Sequence, residues 1–80
     1  MSQTSEFDVY PNPTSNTACV KTAPNREGAV FVRNISGELM MAFRYPDRAW
    51  FDVSGLNNGV YLVTFESSDE IETVKLVVTE

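Results

Sequence analysis

Apolar residues along this chain come in short alternating runs, broken by turn-forming residues every 8–12 positions or so. Residues 7–10 (FDVY) alternate apolar and polar, then meet Pro11-Asn12-Pro13. Two prolines stop a strand there, because proline has no N–H to donate and restricts the residue before it. Residues 16–22 (NTACVKT) predict a second strand, with Ala18 and Val20 on one face and Cys19 and Lys21 on the other. Residues 23–28 (APNREG) form a turn cluster. Residues 29–34 (AVFVRN) put Val30 and Val32 on one face, with Ile35 just beyond, and Ser36-Gly37 turns the chain into residues 38–45 (ELMMAFRY). That run is rich in helix formers. It spans only about two turns, too short for a stable isolated helix, and Asn34-Ile35-Ser36-Gly37 suits a hairpin connection, so a strand is expected.

Pro46-Asp47 ends that run, residues 49–53 (AWFDV) make a short strand, and residues 60–67 (VYLVTFES) a long one. Ser68-Asp69-Glu70 is a tight polar turn before residues 71–79 (IETVKLVVT), which should return antiparallel. About seven short strands with this spacing predict an all-β, antiparallel sandwich of the Ig-like, Greek-key type. The two last strands carry apolar residues partly on both faces and are expected near the sheet centre. The expected core comprises Val9, Ala18, Val20, Val30, Val32, Ile35, Leu56, Tyr61, Val63, Phe65, Val74, Leu76 and Val78.

The stretch DVSGLNNGVYLV (residues 52–63) runs from turn residues straight into a dense apolar strand. In sandwiches a tyrosine soon after a turn into a late strand forms a tyrosine corner, its ring in the core and its hydroxyl bonded to the preceding loop. Leu56 would plug the sandwich end, Gly59 would allow a positive φ, and Tyr61 would tie the loop down.

Composition narrows the chemistry. Eighty residues with 42% apolar content, five Phe, three Tyr and one Trp suffice for one small core; a chain of this size buries roughly 60% of the surface its unfolded form exposes. The net charge is −5, and the six cations (Lys21, Arg26, Arg33, Arg44, Arg48 and Lys75) are scattered rather than striped, which disfavours nucleic acid. Histidine is absent and Cys19 is the single cysteine, so an intramolecular disulfide, a Cys/His zinc site and a Ser-His-Asp triad are excluded. The first residues, MSQTSEFDVY, lack the basic-then-apolar layout of a secretory signal peptide.

Four segments occur in a telling order: Val9-Tyr10-Pro11-Asn12-Pro13, then residues 32–37 (VRNISG), residues 52–63 (DVSGLNNGVYLV), and residues 74–78 (VKLVV) close to the C-terminal residue. Together they resemble the type A C-terminal sorting domain of cargo proteins of the type IX (Por) secretion system of Bacteroidetes, over residues 7–80. The resemblance implies an Ig-like seven-stranded sandwich at the end of a secreted enzyme or adhesin, exported across the inner membrane by a separate N-terminal signal. Its implied partners are the outer-membrane translocon, a surface sortase that removes the domain, and the parent protein's cargo domain; no cofactor is implied. Residues 1–6 are then a linker or an artificial start, and the chain a piece of a longer protein. The resemblance also assigns Tyr10, Pro11, Asn12, Pro13, Asn34, Gly37, Asp52, Leu56, Gly59 and Tyr61 to structural motifs. It places Lys75, Leu76, Val77 and Val78 in the terminal motif that the machinery requires.

Single residues have plainer readings beside these. Lys75 suits a solvent-facing strand lysine as well as a recognition contact. Asp52 is expected as a turn or cap residue, since no second carboxylate is spaced to work with it. Asp69, Glu70 and Glu72 could touch a calcium ion but lack the ordering of a calcium loop, and a solvated hairpin tip is expected. Tyr45, Trp50 and Phe51 could stack on sugar rings, although alternation sends Trp50 and Phe51 to opposite faces and at least one to the core. Asn34-Ile35-Ser36 matches a glycosylation sequon by coincidence, whereas Pro13 excludes Asn12. Three function classes follow: a secretion signal, a passive fibronectin III-like spacer or adhesion module, and a carbohydrate-binding module. An enzyme is not expected.

Overall fold

The computed structural model describes residues 7–79; the expected linker at residues 1–6 lies outside them, as does Glu80. Seven strands are present: β1 (Asp8–Tyr10), β2 (Thr17–Lys21), β3 (Gly28–Asn34), β4 (Leu39–Tyr45), β5 (Trp50–Asp52), β6 (Gly59–Glu66) and β7 (Ile71–Val78). They form two antiparallel sheets ordered β1-β2-β5 and β4-β3-β6-β7. The helix-forming run at residues 38–45 is a strand: Val30 pairs with Phe43 and Gly28 with Tyr45, and these cross-strand partners override local propensity.

Alternation sets the core. From the three-stranded sheet come Val9, Ala18, Val20 and Phe51; from the four-stranded sheet come Val30, Val32, Tyr61, Val63, Phe65, Leu76 and Val78, all buried. Aromatic pairs stitch the layers together: Phe7 stacks on Phe65 and Phe43 meets Phe51, each with centroids 5.5 Å apart. Phe7 and Val53, neither expected in the core, are also buried, while Leu56 and Val74 pack against it only partly buried.

Two expectations need correction. Ile35 is not in the core but 75% exposed. The Asn34 side-chain carbonyl accepts the N–H groups of Ser36 and Glu38, and Gly37 adopts φ 91°, so the chain leaves the strand before Ile35 can alternate inward. The second correction concerns β7, which lies at the sheet edge rather than near its centre. Its apolar content is accommodated because part of that edge is covered by the segment linking β1 to β2 (Thr14 forms a parallel bridge to Val78).

Candidate recognition surface

The terminal strand pairs with β6 along one edge and is bonded along the other by the segment that follows β1. Pro11 and Pro13 sit in a bend of the chain and contribute no N–H, which leaves the Asn12 side chain and the Thr14 backbone to make bonds. Asn12 Nδ2 donates to the Lys75 carbonyl (2.7 Å) and Asn12 Oδ1 accepts from the Val77 N–H (2.9 Å). One side chain thus imitates the donor and acceptor of a neighbouring strand. Beyond it the Thr14 N–H donates to the Val77 carbonyl and the Thr79 N–H to the Thr14 carbonyl, each at 2.9 Å. Thr14 is itself buried, its hydroxyl donating to the Thr17 carbonyl. This strap seals the outer edge of β7 from Lys75 to Thr79, and the stretch 71–74 lies beyond it.

The loop before β6 is tied down as the tyrosine corner requires. The Tyr61 hydroxyl donates to the Asn57 carbonyl at 2.7 Å while its ring is buried, and Gly59 has φ 154°. Leu56 leans against the core and its N–H donates to the Val53 carbonyl. Asp52 Oδ1 accepts from both the Ser54 hydroxyl (2.7 Å) and the Ser54 N–H (2.8 Å). Those bonds, the hydroxyl first, hold its carboxyl below the ordinary value by favouring the charged form. Asp52 is a cap on this turn.

Within the terminal motif the four residues divide by face. Leu76 and Val78 point into the core and are buried. Lys75 and Val77 face outward from the four-stranded sheet, with Lys75 exposed and Val77 half-buried, opposite Leu62 and Val60 respectively. Tyr10 is half exposed on the outer face of the other sheet, opposite Cys19.

The acidic hairpin tip has a structural partner. Arg26 lies over the Phe65 ring, 4.8 Å from its centroid, and pairs with Glu72 at 3.1 Å and Glu70 at 3.3 Å. Those carboxylates serve as counterions that pin the β6–β7 turn to the 22–26 loop. Among the described residues no cluster of three metal-ligating side chains occurs. The aromatic trio does not share a face: Phe51 is core, Tyr45 packs edge-on against Phe65, and Trp50 is exposed with Arg48 over its ring.

Sequence reasoning singled out neither Thr14 nor Arg26. Both act through partners more than forty positions away, and only the residue types, a hydroxyl between turns and a cation near an apolar strand, hinted at them. A family model described as the secretion system C-terminal sorting domain matches residues 8–79, from the first strand through the last. No curated protein matches the chain.

Proposed function

Because the chain belongs to the family of secretion system C-terminal sorting domains, we propose that it directs an attached cargo from the periplasm to the type IX translocon of the outer membrane. A surface sortase then removes it, leaving the cargo at the cell surface or outside the cell. The observation that carries this reading is the match over residues 8–79, which takes in all seven strands and the closing motif. The family is one of sorting signals rather than catalysts.

The geometry supports recognition of the folded domain. Lys75 and Val77 present the closing motif outward, while Leu76 and Val78 anchor the same strand in the core. A partner adding a strand to β7 would have the 71–74 stretch of edge to work with, since the strap occupies the rest. A passive spacer or a glycan-binding module has only the shared architecture in its favour, and fold alone does not assign function.

The test is transfer of the address. Residues 7–80 placed behind a reporter with its own inner-membrane export signal are expected to carry it out of the periplasm of a type IX-competent host. The exported reporter is expected to lose the domain. A reporter that stays in the periplasm would overturn the reading.

A further inference from the structure

Among the described residues no layer covers the outward face of the four-stranded sheet, and its register lines up residues far apart in the chain. One cross-strand row runs Leu39–Arg33–Leu62–Lys75; the next inward row is Ala42–Phe31–Thr64–Thr73. Toward the other end Val60 pairs with Val77. Leu39 is 50% exposed and Leu62 39%, large values for leucines in strands. Arg33 lies over the Phe31 ring at 5.3 Å, and its neighbour Leu62 separates it from Lys75. With adjacent strands about 4.8 Å apart, the two cations flank Leu62 across a span of about 10 Å.

Within these rows the cations have no acidic partner. The chain carries −5, yet these rows contain no carboxylate; Glu38 sits at the rim and takes a hydrogen bond from Asn34, and Glu66 lies on the same face one row beyond Thr64. Arg26 is paired with two glutamates, Lys21 lies opposite Asp8, and Arg44 shares a row with Glu66 through Ala29. Among the described residues neither Arg33 nor Lys75 forms an ion pair. Two uncompensated cations bracketing exposed aliphatic side chains make an apolar patch with a positive frame on an acidic protein.

We infer that this face, centred on Leu62 and framed by Arg33 and Lys75, docks the domain onto a protein surface of the secretion machinery that offers carboxylates around an apolar patch. The inference rests on the sorting-signal reading and adds the surface and the chemistry of its partner. Charge decides the occupant. A second copy laid face to face would bring four cations together between two molecules of −5, so self-association is opposed twice. A partner with acidic groups at the rim gains steering from the cations and burial from Leu62, Val60 and Val77.

The experiment compares two charge reversals in the secreted reporter fusion. Arg33→Glu with Lys75→Glu alters the proposed face, and Lys21→Glu with Arg48→Glu makes the same change of net charge away from it. The face variant is expected to lower the exported fraction at least tenfold with its melting temperature little changed, the control variant less than twofold. Should the double reversal unfold the domain, Leu62→Ser and the single Lys75→Glu take its place, with the same expected loss. Folded face variants exported like the parent fusion would overturn the docking surface while leaving the sorting reading intact. A parent fusion that is never exported fails the sorting reading itself. Sedimentation of the isolated chain is expected to show a monomer; a dimer abolished by Leu62→Ser would assign the face to a second copy and overturn the proposal.

Discussion

Replacing Asn12 by alanine removes the two side-chain bonds among those that close the edge of β7. The cost follows from the two contacts: Nδ2 to the Lys75 carbonyl at 2.7 Å and the Val77 N–H to Oδ1 at 2.9 Å. A typical intramolecular hydrogen bond contributes about 0.5–1.5 kcal/mol net. Both bonds lie at the exposed edge, so water takes over the freed groups and the desolvation penalty of a buried orphan does not apply. The sum is about 1–3 kcal/mol, and at roughly 4–8 °C per kcal/mol for a domain of this size the melting temperature should fall by about 4–24 °C. Asn12→Asp is the companion variant. It keeps an acceptor for Val77 but sets a carboxylate oxygen against the Lys75 carbonyl, so it should be at least as damaging. Thermal unfolding gives the magnitude, and amide hydrogen exchange gives the location: the Val77 N–H should exchange faster in both variants, whereas Val63, on a strand paired at both edges, should change only with global stability. An unchanged melting temperature together with unchanged Val77 exchange would refute the strap as a stabilising device.

Tyr61→Phe removes the hydroxyl bond to Asn57 and leaves the ring in place; because Asn57 is exposed, the expected loss is about 1 kcal/mol by chemical denaturation. An unmoved midpoint would remove the tyrosine corner. Lys75→Ala should alter stability by less than about 0.5 kcal/mol, as expected for an exposed strand side chain, while reducing export of the fusion severalfold; normal folding with normal export would make Lys75 a bystander. Asp52 has a folded pKa below its ordinary 3.8, so its contribution is present above that value and is lost as pH falls from about 3.8 through the lowered one. Acid titrations of stability should therefore show wild type and Asp52→Asn converging across that window, and parallel curves would contradict the cap.

All seven strands were legible because each carries its own alternation and its own stop signal, from Pro11 after β1 to the Ser68-Asp69-Glu70 turn before β7. Tyr61 was legible too, since the corner is a local device spanning four residues. What escaped depended on register or distance. Phe51 was one of two candidates because a three-residue strand has too little alternation to orient it; pairing with Ala18 settles its inward direction. Ile35 was misplaced by carrying the β3 period through a turn that the Asn34 side chain had already begun. The edge position of β7 was hidden because strap and strand lie at opposite ends of the chain, and Asn12 between prolines signals only a local break. The Arg33–Leu62–Lys75 row likewise exists only once three strands are in register.

The central claim, that this sandwich is the address its cargo carries to the type IX machinery, is tested most directly by fractionating one fusion in two hosts. A reporter with an inner-membrane export signal and residues 7–80 at its C-terminus is followed in a type IX-competent strain and in the same strain lacking the translocon. The account predicts reporter at the surface or in the medium of the first strain and in the periplasm of the second. Periplasmic retention in both, or release from both, would contradict it.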